Sequence, residues 1–184
     1  MMGKREKILS VRNMMFIALF AALLSVVAPF SVDIGPVPLS FATLVIYLAA
    51  AVLGSVKGTV AVVIYILLGA FGLPVFSRFQ GGFHVIAGVT GGFIIGYMPL
   101  AFVTGFFADC FPKKIWAYVL GMAIGTIILY TVGTAWFMFK TGNPLGTTLA
   151  MTFYPFLPGD AAKIIVACMT APKLRAVFSN MNRR

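Results

Sequence analysis

No charged residue occurs between Ile115 and Phe139. A run of that length matches the ~17–25 residues that one helix needs to cross a bilayer. Five further apolar runs, bounded by charges or by Pro and Gly, fall at about 13–30, 39–56, 58–73, 85–107 and 158–177. The runs at 39–56 and 58–73 are short but sufficient. Only 10% of residues are charged, against about 25% in a soluble domain. The expected fold is an all-α integral membrane protein, a compact bundle of six transmembrane helices. Residues 1–184 then form a single membrane domain, multi-pass in the cell membrane.

Basic residues set the orientation, because cytoplasmic flanks are enriched in Lys and Arg. Six spans place Lys4, Arg5, Lys7, Arg12, Lys57, Lys113, Lys114, Lys173, Arg175, Arg183 and Arg184 on one side. Only Arg78 and Lys140 fall on the other, with Lys163 left inside the last span. Both termini are therefore expected in the cytoplasm. The net charge of +10 follows this topogenic pattern rather than a nucleic-acid-binding surface. The basic stretch from Met1 to Arg12 precedes an apolar run too long for a signal peptide, with no clear small-residue cleavage site, so it reads as the approach to the first span.

Several chemistries lack the residues they need. His84 is the one histidine, and Cys110 and Cys168 lie far apart, so no metal or Cys–His site is expected. No Walker A or GxGxxG pattern is present, so neither a cofactor nor ATP hydrolysis is expected of this chain. No paired-carboxylate or Ser/His/Asp arrangement suggests an enzyme. No internal repeat beyond the Gly-Gly-Phe triplets at 81–83 and 91–93 points to an inverted-repeat carrier.

Against this background Asp160 and Lys163 stand out. They sit in Phe156-Leu-Pro-Gly-Asp160-Ala-Ala-Lys163, flanked by apolar residues, and Asp160 is one of only 4 acidic residues. Ionisable groups inside a span cost roughly 2.5–3.5 kcal/mol on insertion scales and usually face a functional cavity. At i and i+3 the two share a helical face, where they neutralise each other or grip a polar ligand. A plain helix-start pair is the alternative, since Pro158 suits a first turn and Asp160 the positive end of the dipole.

Two outer segments can join that helix start in forming a pocket. One is the 31–38 turn with Asp33, leading into Thr43; the other is 72–83, with Arg78 and Gln80. Arg78 and Gln80 suit a carboxylate or amide, or else a solvated turn; Asp33 reads as a loop charge. Gly88, Gly92 and Gly96, and Gly121 with Gly125, are small-xxx-small steps that let helices approach closely. Ala18 and Ala22 make a similar step, for internal packing or for docking another membrane protein. The apolar stretch 151–157 either extends the last span or forms a short helix of its own.

These motifs, taken in order, resemble the BioY family, the biotin-binding S-components of energy-coupling factor (ECF) vitamin transporters. The matching pieces are Pro36-Val-Pro38 with Thr43, Gly72-Leu-Pro-Val-Phe76 with Gly81-Gly82, Thr90-Gly-Gly92, and the Phe156–Lys163 stretch. Ala42 stands where the family often has glutamine, and Val89 where a proline commonly precedes Thr-Gly-Gly. The resemblance implies a subunit that binds one biotin near the outer face under a lid formed by the loop between the first two spans. It implies Asp160 and Lys163 at the ureido ring and Arg78 at the carboxylate, with Gln80 and Thr43 as further polar contacts. It also implies docking through Ala18 and Ala22 on a transmembrane T-subunit that works with two ATPase subunits. An S-component for another vitamin or small heterocycle, or a stand-alone secondary carrier, would be the alternative.

Overall fold

The computed structural model describes residues 10–33, 37–112 and 114–182. Lys4, Arg5, Lys7, Lys113, Arg183 and Arg184 of the charge count and Pro36 of the Pro-Val-Pro motif lie outside them, as does the side chain of Asp33. The described residues form eight helices and one small hairpin. In order these are α1 (Val11–Val27), β1 (Ser31–Asp33), β2 (Pro38–Ser40), α2 (Ala42–Leu53), α3 (Ser55–Ala70), α4 (Phe83–Ala87), α5 (Gly91–Cys110), α6 (Ile115–Thr141), α7 (Leu145–Thr152) and α8 (Leu157–Asn182). The architecture is all-α apart from the hairpin. Two helices, α5 and α6, are long and apolar enough to cross a membrane. Large apolar side chains such as Leu19, Phe102, Ile127 and Ile165 face outward, as in a protein whose solvent is lipid.

Helix limits depart from the hydropathy reading where a backbone group decides them. The α2–α3 boundary lies at Gly54, not at Lys57, which sits in the first turn of α3. Gly54 has φ +87°, a conformation costly for residues with a Cβ. The Asp109 carboxylate, arriving from α5, then accepts the Ser55 N–H (2.8 Å) and Oγ–H (3.0 Å) at the start of α3. Hydropathy senses neither. The run expected at 85–107 likewise divides: α4 ends at Ala87 and α5 begins at Gly91. Gly88 therefore belongs to the break rather than to a glycine seam, and its carbonyl accepts the Trp136 indole N–H at 2.8 Å.

The other glycines do pack α5 against α6. A Cβ on Gly92 would stand 2.2 Å from Trp136, one on Gly96 2.8 Å from Leu129, and one on Gly125 2.8 Å from Leu100. Gly105 meets backbone instead, on α3: its Cβ would lie 2.4 Å from the backbone of Ser55. Backbone cannot swing aside as a long side chain can. Gly105→Ala should therefore destabilise the protein by about 1–3 kcal/mol, read as a lowered midpoint of thermal unfolding in detergent. An unchanged midpoint would show that the α3–α5 contact gives way without cost.

The stretch 151–157 does not extend the last helix. It holds the end of α7 and a turn, after which α8 starts at Leu157 and runs on through Pro172. The hairpin caps its own exit: Ser40 Oγ accepts the Ala42 N–H at 3.0 Å and donates to the Ala28 carbonyl at 3.0 Å. One side chain thus ties the end of α1 to the start of α2.

Candidate ligand-binding site

Asp160 and Lys163 lie on α8 within its first two turns, and both are buried, with exposures of 4% and 7%. Burying two charges costs several kcal/mol per ion unless they are paired and held by further hydrogen bonds. Lys163 Nζ donates to Asp160 Oδ1 (3.1 Å), to Thr43 Oγ1 (3.0 Å) and to the Ser40 carbonyl (2.7 Å). An ammonium has three N–H donors and no acceptor, so the protein itself uses all of them. Asp160 Oδ2 accepts the Tyr130 hydroxyl from α6. A carboxylate offers about four acceptor positions, and only two are taken. The pair is therefore saturated in donors yet still able to accept.

A cavity of about 50 Å³ opens beside the pair, lined among others by Pro38, Ser40, Thr43, Tyr97, Tyr130 and Phe156. A second, also about 50 Å³, is lined among others by Tyr65, Ser77, Arg78, Gln80, Thr90 and Tyr97. Val37, Pro38, Phe93 and Tyr97 border both and form the wall between them. Asp160, Lys163 and Thr43 are thus brought together, whereas Arg78 and Gln80 line the neighbouring cavity. Hairpin residues wall both spaces.

Arg78 is held in an unusual way. Arg78 (φ +61°) and Phe79 (φ +55°) are consecutive non-glycine residues in the left-handed region, an arrangement that surrounding contacts must enforce. Those contacts are visible. The Arg78 N–H donates to the Pro29 carbonyl at 3.0 Å, Phe76 N–H to the Gln80 carbonyl at 2.9 Å, and Phe79 packs edge-on against Phe30. The turn that aims Arg78 is thereby anchored to the segment entering the hairpin.

Ala18 and Ala22 lie away from both cavities, on the exposed face of α1. Asp33 ends β1, paired with Pro38. The sequence reading missed Tyr130, Tyr97 and the Ser40 carbonyl. A signal for Tyr130 existed: Thr126, Tyr130 and Thr134 place polar groups at i, i+4 and i+8 of an otherwise apolar helix, and all three are buried. Thr126 bonds Tyr47 at 2.5 Å and Thr134 bonds Thr152 at 3.2 Å. The backbone carbonyl of Ser40 has no signature of its own in a sequence.

Lipid-facing apolar helices around a buried charge pair and two small cavities define a helical membrane protein with an internal polar site. The comparisons narrow that class. The model for the BioY family matches residues 2–180. The biotin transporter BioY of Thermotoga maritima is 37% identical over 164 residues, covering 89% of this chain and 96% of that protein. The biotin transporter BioY of Rhodobacter capsulatus is 36% identical over 174 residues, covering 87% and 91%. Among solved structures, the S-component for biotin from an ECF-type ABC transporter superposes with a TM-score of 0.84 at 28% identity, covering 90% of this chain and 92% of that one. The chain belongs to the BioY family.

Proposed function

We propose that this chain is the biotin-binding subunit of an ECF-type importer in the cell membrane, itself without enzymatic activity. In this reading α1, α2, α3, α5, α6 and α8 are the six crossings, and both termini face the cytoplasm. A transmembrane T-subunit and two ATPase subunits complete the transporter. The observation that carries the ligand assignment is the buried Asp160–Lys163 pair, whose open hydrogen-bonding capacity lies on the carboxylate.

Biotin's ureido ring carries two N–H donors and one carbonyl acceptor. Asp160 can accept both N–H groups without losing a bond. The ureido carbonyl reaches Lys163 only by displacing one of its three acceptors, and the Ser40 carbonyl and Thr43 are the candidates. The valerate chain then passes the Phe93–Tyr97 wall, and its carboxylate meets Arg78 and Gln80. Each cavity, at about 50 Å³, is far below the ~300–1,000 Å³ usual for small-molecule pockets. Binding therefore requires residues 37–40 to move and the two spaces to merge.

Titration of purified protein with biotin should give one site per chain. An analogue with its ureido nitrogens methylated should bind at least about 10-fold more weakly, since a hydrogen bond to a charged group contributes about 1.5–3 kcal/mol. Equal affinity for the blocked analogue would overturn the placement of the ureido ring. Failure to bind biotin, with another vitamin co-purifying, would overturn the ligand itself.

A further inference from the structure

Tyr130 carries no role in the ligand scheme above, yet it holds half of the carboxylate on which that scheme depends. Its hydroxyl donates to Asp160 Oδ2, while Lys163 occupies Oδ1. The two oxygens are thus held by groups from different helices, α6 and α8. The Tyr130 ring is itself fixed, packed edge-on against Phe153 at 5.1 Å and Phe93 at 6.3 Å and stacked on Phe156 at 6.5 Å. Its exposure is 8%. A phenol clamped by three rings has one direction in which to point its O–H, and that direction is the carboxylate.

Resting on the biotin reading, we propose that Tyr130 is the positioning residue of the site: it fixes the plane of the Asp160 carboxylate so that its two unused acceptor positions face the ligand's N–H groups. A carboxylate held at one oxygen only can rotate about its Cβ–Cγ bond, and its free acceptor positions then sweep through several directions. Held at both oxygens, it presents them in one. Selectivity for paired N–H donors is then a property of Tyr130 as much as of Asp160, although Tyr130 acts through Asp160.

Tyr130→Phe removes the hydroxyl and leaves the three ring contacts in place. Biotin affinity should fall about 10- to 100-fold, the loss expected when one of the ligand's own hydrogen bonds to the charged carboxylate is forfeited through its misorientation. The ratio of biotin affinity to that for the N-methylated analogue should shrink with it. Thr134→Val is the control: it removes a buried hydroxyl one turn away on the same face of α6, with no bond to Asp160, and should leave affinity within about 2-fold. The decisive measurement is a double-mutant cycle with Asp160→Asn. If Tyr130 works through the carboxylate, Tyr130→Phe adds little in the Asp160→Asn background. Calorimetric titration reports the affinity of the binding-competent fraction, so a lower yield of folded variant does not obscure it. Additive losses, or an unchanged selectivity ratio, would overturn the proposal while leaving the biotin reading intact. No biotin binding by the unsubstituted chain would instead overturn that reading, and this proposal with it.

Discussion

Lys163→Met is expected to destabilise the protein by about 3–5 kcal/mol and to abolish biotin binding. Removing one partner from a buried pair leaves the other charge without compensation, and that is the costly half of the exchange. Asp160, at 4% exposure, would keep only the Tyr130 hydroxyl. The Ser40 carbonyl and Thr43 would lose their donor at the same time. Adding Asp160→Asn should restore most of the stability, because a neutral amide can still accept from Tyr130 and no naked charge remains. Binding should not return. Thermal unfolding without ligand, set beside titration calorimetry, separates the two effects. If Asp160 acted only at the helix dipole, Asp160→Asn alone would cost about 0.3–1 kcal/mol and leave affinity untouched. That outcome would remove the pair from the ligand site.

Replacing Ala18 and Ala22 together with leucine should abolish transporter assembly and uptake while leaving biotin affinity unchanged. Both alanines are one turn apart on the exposed face of α1, so added methylenes meet no neighbour within the chain. Substitutions at such positions usually change stability by no more than about 0.5 kcal/mol. A partner helix seated on a small-xxx-small step is different, because its backbone approaches to within the space that a leucine fills. Co-purification of the T-subunit and uptake into cells report assembly; titration of the isolated chain reports binding. Retained assembly would remove this face from the docking surface. A parallel loss of binding would show instead that α1 supports the site.

Hydropathy located the long helices because lipid-facing and core positions are both apolar, so a span announces itself by what it lacks. It misplaced boundaries wherever one atom sets them. Gly54 ends α2 because the chain turns there at positive φ and the Asp109 carboxylate caps α3 from the far end of α5. Gly88 leaves its glycine series because Trp136 takes its carbonyl. In the site, Asp160 and Lys163 were legible as rare charges in an apolar segment, and Thr43 as part of a motif. The separate cavity holding Arg78 was not, since the wall between the two spaces comes from the hairpin and α5 together. The Ser40 carbonyl reaches Lys163 across most of the chain, and such contacts leave no local pattern.

The wall formed by Val37 and Pro38 in both cavities also bears on time. A molecule enclosed by its host's own backbone departs no faster than that backbone opens. Residence is then governed by how often residues 37–40, through the Ser40 carbonyl, release Lys163, and substitutions there should alter the off-rate more than the on-rate, as is usual within one interface. A slow exit suits capture of a scarce nutrient but opposes its delivery. Inward release in useful time then needs a second force that opens the same strap from outside the subunit.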